Sequence, residues 1–138
     1  MLKRFVNVAM VVRDIEDTLR VYENMFGLKA SERRTMADVG IKTAMIPVGD
    51  FSLELMEPME NEQVLRKFLD TKGEGLYRLA FEVDDVEAAM RDLKKKGVPH
   101  SPVALDLDGK PTKVVFIHPK ATKGVMIELV PASRQQLA

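Results

Sequence analysis

Apolar residues follow a strand-like spacing in the first part of the chain and then change to a helical spacing. Over residues 6–12, bulky apolar residues occupy every second position, which is typical of a β-strand with one covered face. The next apolar residues recur every three or four positions: Ile15, Leu19, Tyr22 and Phe26. Asp14 precedes this helical run and Gly27 follows it, in the positions of an N-cap and a C-cap. The pattern therefore predicts a strand followed directly by an amphipathic helix.

The same pattern returns in the second half of the chain. VRDIE at residues 12–16 is matched by VDDVE at residues 83–87, and LEL at residues 53–55 is matched by IEL at residues 127–129. Gly27 is similarly matched by Gly97. Three matches in one order and at similar separations indicate two copies of one structural unit.

Each copy contains further strand-like runs after its helix. They lie at residues 29–36, 41–48 and 51–56 in the first copy, and at residues 102–105, 112–117 and 125–130 in the second. We therefore predict an α+β fold of two βαβββ modules, residues 1–60 and 76–132, joined by a helical linker at residues 61–75. We expect the modules to form a curled mixed sheet around a central cleft, within one domain.

Four polar residues lie on strand faces opposite the bulky apolar side chains. Side chains alternate across a strand, so residues that oppose a covered face point the other way. The four occupy matching positions in the two copies: Asn7, Glu54, Arg78 and Glu128. We expect them to converge if the two modules pair about a twofold axis.

Composition and charge exclude several classes of protein. The 138 residues carry 21 basic and 21 acidic side chains, and this balance argues against a nucleic-acid binder. The chain has no cysteine, which excludes disulfides and thiolate chemistry and favours a cytoplasmic location. The N-terminus lacks the apolar region of a signal peptide, and no apolar run is long enough to span a membrane.

Three longer motifs resemble a known family. They are LELMEP at residues 53–58, GEGLYRLAFEVDDVEAAM at residues 73–90 and GKPTKVVFIHPKATKGVMIELV at residues 109–130. Together with the order of elements, they resemble the vicinal oxygen chelate superfamily of glyoxalases, bleomycin resistance proteins and dioxygenases. Within it, the chain is most similar to the methylmalonyl-CoA epimerases. The resemblance implies paired βαβββ modules, a homodimer, an acyl-CoA ligand and a divalent metal that stabilises an enolate.

The metal ligands of that family carry over only in part. The two histidine positions fall on Asn7 and Arg78, whereas the two acidic positions fall on Glu54 and Glu128. Arginine is always charged and has no acceptor atom, so it cannot ligate a metal. We therefore expect no cofactor, and we hypothesise that Arg78 takes the place of the metal and bridges Glu54 and Glu128.

Two alternatives to this hypothesis remain open from the sequence. In the first, Arg78 points to solvent at the end of a strand. In the second, a hard divalent cation is held by the oxygen atoms of Asn7, Glu54 and Glu128.

The sequence leaves the function open between an enzyme, a binding protein and a degenerate relative with a structural or regulatory role. As an enzyme, the chain would be an epimerase-type isomerase or a glyoxalase-type lyase, in which Glu128 or Glu54 is the base and Arg78 stabilises the enolate. Asn7, His118 and Lys120 would bind the substrate, although His118 also fits a plain turn residue before Pro119. As a binding protein, the chain would sequester a small ligand without chemistry, as bleomycin resistance proteins do.

Overall fold

The computed structural model describes residues 1–107 and 109–132. In chain order, its elements are β1 Leu2–Val11, α1 Ile15–Phe26, β2 Glu32–Met36, β3 Ile41–Val48, β4 Phe51–Pro58, α2 Val64–Lys72, β5 Gly75–Val83, α3 Val86–Lys95, β6 His100–Leu107, β7 Lys110–Ile117, α4 Pro119–Thr122 and β8 Met126–Pro131. The βαβββ order therefore occurs twice, and the predicted α+β class is confirmed. Among the described residues, no helix is long and apolar enough to cross a membrane.

The chain divides into two compact units, whose boundaries differ from those of the two sequence copies. One unit comprises residues 8–77, and the other combines Met1–Asn7 with the chain from Arg78 onward. We call them the central unit and the terminal unit. Both β1 and β5 pass from one unit into the other, so each unit contains strand residues from both sequence copies.

In the central unit, β2, β3 and β4 pair antiparallel, and residues 8–11 of β1 lie beside β4. Helix α1 covers one face of this sheet. Its core contains Val12, Ile15, Leu19, Ala44, Ile46 and Leu55. Leu55 is fully buried, and such burial contributes roughly 1.5–3 kcal/mol for a leucine side chain. The alternation predicted for residues 8–12 and 53–55 thus places the bulky side chains against the helix.

In the terminal unit, β5 pairs with β8 in parallel, while the β8–β7 and β7–β6 pairs are antiparallel. Residues 2–7 of β1 lie beside β5 on its other side. Helix α3 covers one face, where it packs on Val83, Val115, Ile117 and Leu129. The opposite face carries a second apolar cluster of Val6, Ala80, Val114 and Val130. We call this the distal face.

Side-chain caps define the starts of both long helices, as predicted. Asp14 accepts one hydrogen bond, from the Asp17 N–H at 3.1 Å. Asp85 accepts two, from the Glu87 and Ala88 N–H groups at 2.9 and 3.2 Å. At the end of α3, Lys96 donates a 2.8 Å hydrogen bond to Asp92, and this bond lowers the pKa of the Asp92 carboxyl.

Several elements differ from the sequence prediction. Strand β1 begins at Leu2 rather than at residue 6, because its polar residues Lys3 and Arg4 pair with Asp84 and Glu82. Strand β2 begins three residues later than predicted, at Glu32, and β6 extends over eight residues. Helix α4 was not predicted, since four residues are too few to show a helical period.

Candidate functional site

Arg78 and Glu128 lie together on the distal face of the terminal unit. The β5–β8 register places Glu128 opposite Ala80, one alternate position along the strand from Arg78. The Arg78 Nε lies 3.7 Å from the Glu128 Oε1, and the two side chains are only 8% and 0% exposed. The alternative in which Arg78 points to solvent is therefore wrong. A buried cation beside a buried carboxylate offers a fixed electrostatic site in a poorly hydrated region.

Asn7 belongs to the same unit and is also buried, at 2% exposure. Val6, its neighbour in sequence, is equally buried. Among the described residues, the Asn7 Oδ1 has no hydrogen-bond partner. A buried amide oxygen without a partner is costly, and it can accept a hydrogen bond from a ligand.

Glu54 lies in the central unit, on β4 opposite Met45 of β3. It is buried, with 4% of its surface exposed. Its burial agrees with the predicted face, because its neighbours Leu53 and Leu55 pack on α1 instead. The bridge from Arg78 to Glu54 stays a prediction.

A second arginine–glutamate pair lies on the distal face and was missed in the sequence. The Arg4 Nε donates a 2.8 Å hydrogen bond to the Glu82 Oε2. The Glu82 side chain is 3% exposed, whereas that of Arg4 is 34% exposed. Glu82 follows Arg78 and Ala80 at alternate positions of β5. Because side chains alternate along a strand, this spacing could have predicted that Glu82 lies on the same face as Arg78. Its cationic partner lay outside the predicted strand.

His118 and Lys120 lie at the short helix α4, and both are exposed. His118 is the N-cap residue, and its Nδ1 accepts a 3.1 Å hydrogen bond from the Lys120 N–H. This contact matches the interpretation of His118 as a turn residue before Pro119. Substrate binding by either residue stays a prediction.

The donor set of the terminal unit does not fit the divalent metal that the resemblance implies. Arg78 places a permanent cation 3.7 Å from Glu128, and it would repel a divalent ion at that carboxylate. In the described part of this unit, two further side-chain oxygen donors are buried: Asn7 offers one neutral oxygen, and the Glu82 carboxylate already accepts a hydrogen bond from Arg4. Within residues 1–107 and 109–132, no group of three or more histidine, cysteine, aspartate or glutamate side chains could hold a metal ion.

Comparison with known proteins gives the family. Residues 7–116 match the model of the glyoxalase/bleomycin resistance protein/dioxygenase superfamily. The chain belongs to this superfamily. Its fold and its element order are those expected from the sequence resemblance.

Within the superfamily, the chain is similar to methylmalonyl-CoA epimerases. It is 34% identical to the mitochondrial methylmalonyl-CoA epimerase of Homo sapiens over 131 residues, which cover 93% of this chain and 73% of that protein. The crystal structure of the Mycobacterium tuberculosis methylmalonyl-CoA epimerase superposes with a TM-score of 0.83 at 30% identity, covering 99% of this chain and 93% of that one.

A further epimerase structure, in complex with methylmalonyl-CoA and NH4+, also gives a TM-score of 0.83, with 27% identity and 96% of each chain covered. The predicted resemblance is thus confirmed.

Proposed function

We propose that the chain binds an acyl-CoA thioester and moves the proton beside its carbonyl without a divalent metal. The observation that carries this proposal is the buried Arg78 guanidinium beside Glu128. The ligand class follows from the similarity to methylmalonyl-CoA epimerases, one of which was solved with methylmalonyl-CoA.

The chemistry requires a base and a stabiliser of negative charge. In the proposed reaction, the Glu128 carboxylate takes the proton from the carbon next to the thioester carbonyl. The electron pair of the broken C–H bond moves to the carbonyl oxygen and forms an enolate. The Arg78 guanidinium donates hydrogen bonds to that oxygen and stabilises its charge. Return of a proton to the carbon restores the thioester, with either configuration.

Burial supports the role of Arg78. A guanidinium at 8% exposure is poorly screened by water, so its interaction with a developing oxyanion is stronger than at a surface. Within the part of the chain that the structure describes, the Asn7 Oδ1 of the same unit has no hydrogen-bond partner, so it offers an acceptor to an amide N–H of the ligand.

The second candidate is a protein that binds the thioester without chemistry. The burial of Glu128 favours this candidate, because a carboxylate at 0% exposure that faces a guanidinium at 3.7 Å is poorly accessible to the proton of a ligand. Glu54, a buried acid of the central unit, is the alternative base if Glu128 serves only to hold Arg78.

One set of measurements tests the proposal. The purified protein is analysed for bound metal, and exchange of the α-proton of methylmalonyl-CoA for deuterium is followed by NMR in D2O, with and without EDTA. We expect substoichiometric metal and exchange that persists in EDTA. Glu128→Gln should abolish exchange if Glu128 is the base, whereas Glu54→Gln should leave most of it.

Arg78→Lys separates charge from geometry, because lysine keeps the positive charge but loses the planar fork. We expect slower exchange with little change in thioester affinity. One equivalent of tightly bound divalent metal would contradict the metal-free chemistry. Thermal stabilisation by the thioester without any exchange would support the binding protein instead.

A further inference from the structure

A cavity of about 300 Å³ lies in the central unit, where the start of α1 lies beside β2, β3 and β4. Small-molecule sites typically occupy roughly 300–1,000 Å³, so this cavity has room for a small ligand. Charged and hydroxyl side chains line it beside the buried Ile15: Glu16, Arg33, Thr35, Lys42 and Glu57.

Three of these side chains form a row across the sheet. The strand registers place Thr35 of β2 opposite Lys42 of β3, and Lys42 opposite Glu57 of β4. Cross-strand partners lie on one face of a sheet, and neighbouring strands are roughly 4.8 Å apart. Leu55, two positions before Glu57, packs on α1, so the row lies on the face that α1 covers. Glu54 lies on the opposite face of β4, so the cavity is separate from that candidate base.

The polar groups of the row are held in place but are not fully paired. The Glu57 Oε1 accepts a 2.9 Å hydrogen bond from the Ile15 N–H, which fixes the carboxylate. The Lys42 Nζ lies 3.8 Å from the Glu57 Oε2, which is too far for a hydrogen bond. Within residues 1–107 and 109–132, neither the Lys42 ammonium nor the Thr35 hydroxyl makes a hydrogen bond.

The other charged side chains at the cavity have partners of their own. Arg33 binds Glu16, and Arg34, which also lines the cavity, binds Glu32. The row therefore offers a hydroxyl, a cation and an anion to a ligand, in that order across the strands. A ligand with a single charge would be attracted by one end of the Lys42–Glu57 pair and repelled by the other.

We propose that this cavity binds a free α-amino acid in its zwitterionic form. The carboxylate of the amino acid accepts hydrogen bonds from the Lys42 ammonium and the Thr35 hydroxyl, and its ammonium donates to the Glu57 Oε2. The two charges of an α-amino acid are carried on one carbon atom, so they lie side by side as Lys42 and Glu57 do. The side chain of the amino acid then contacts the apolar Ile15.

Titration of the full-length protein with small amino acids, followed by two-dimensional ¹⁵N–¹H NMR, tests this site. The ligands are L-alanine, L-serine and L-leucine, with propionate and ethylamine as alanine analogues that lack the ammonium and the carboxylate. We expect at least one amino acid to shift the amide signals of Thr35 and Lys42 in a saturable way. Loss of a charge-assisted contact corresponds to a roughly tenfold to hundredfold rise in Kd, so both analogues should bind more weakly than L-alanine by that factor.

Variants of the row assign the contacts. Lys42→Gln and Glu57→Gln should each raise the Kd roughly tenfold or more, and the glutamine oxygen of the second variant can still accept the Ile15 N–H. Thr35→Val removes a neutral hydrogen bond and should raise the Kd roughly fivefold. The matched control is Lys29→Gln, because Lys29 pairs with Glu23 at 3.7 Å in the same unit but does not line the cavity. Its Kd should equal that of the native chain.

Equal binding of L-alanine, propionate and ethylamine would overturn the zwitterion site, and so would tighter binding of inorganic phosphate than of any amino acid. Absence of saturable shifts with all three amino acids would also overturn it. A Kd that is unchanged in Lys42→Gln and Glu57→Gln, or raised equally in Lys29→Gln, would remove the role of the row. The proposed thioester chemistry uses residues outside this cavity, so its own test is independent of these results.

Discussion

Replacement of Arg78 by methionine should destabilise the fold strongly. Methionine keeps an unbranched side chain but removes the charge, so Glu128 is left at 0% exposure without the guanidinium beside it. At 3.7 Å, two unit charges attract by roughly 4 kcal/mol at an effective dielectric constant of about 20. Loss of one partner from a buried pair typically costs ~3–5 kcal/mol. We therefore expect the free energy of unfolding to fall by about that amount.

Urea unfolding followed by far-UV circular dichroism measures this change. The matched control is Arg20→Met, because Arg20 pairs with Asp17 at 3.3 Å but the two side chains are 65% and 71% exposed. An exposed pair of this kind contributes ~0.2–1 kcal/mol. The double variant Arg78→Met with Glu128→Met should regain most of the lost stability, since apolar residues often replace a buried ion pair without loss.

A fall in the free energy of unfolding for Arg78→Met no larger than that for Arg20→Met would refute a stabilising role of the buried pair. That role is also refuted if the double variant is less stable than Arg78→Met alone, because the cost would then come from lost packing instead of the unpaired carboxylate.

Three other outcomes follow from the structure. Asp85→Ala should lower the free energy of unfolding more than Asp14→Ala does, with both losses on the order of 1 kcal/mol. The reason is that Asp85 accepts two backbone hydrogen bonds and Asp14 accepts one. Equal losses in urea unfolding would contradict this expectation. Gly40→Ala should lower the free energy of unfolding more than Gly27→Ala does. Both glycines have φ near +70°, so the backbone strain is similar. A Cβ at Gly40 would lie 2.7 Å from the Asn61 Oδ1, whereas a Cβ at Gly27 would meet nothing within 4 Å. EDTA should leave the urea midpoint of the native chain unchanged, and a lower midpoint would indicate a structural metal.

The fold was largely predictable because its signals are local. Asp14 and Asp85 mark the N-terminal ends of α1 and α3 in the sequence. The alternation at residues 53–55 and 127–129 correctly predicts which side chains pack against these helices. Such signals depend on neighbouring residues and on the period of each element.

The candidate site was predictable only in part. The face of β5 on which Arg78 lies was predictable from the alternation of side chains along that strand. The position of its partner Glu128 was predictable from the match between LEL at residues 53–55 and IEL at residues 127–129. The Arg4–Glu82 pair could not be predicted, because the residues are 78 positions apart and Arg4 lies before the apolar alternation that begins at Val6. A strand end whose polar residues are stabilised by partners far along the chain shows no hydrophobic period.

The assignment of Met1–Asn7 to the terminal unit has a consequence for synthesis on the ribosome. These residues leave the ribosome more than sixty residues before the β5 segment beside them, and β8 follows later still. The central unit can complete its own pairing while the nascent chain is still growing. Residues 2–7 therefore remain without their β5 partner during this interval, and the charged side chains of Lys3 and Arg4 oppose aggregation of the segment until β5 is synthesised.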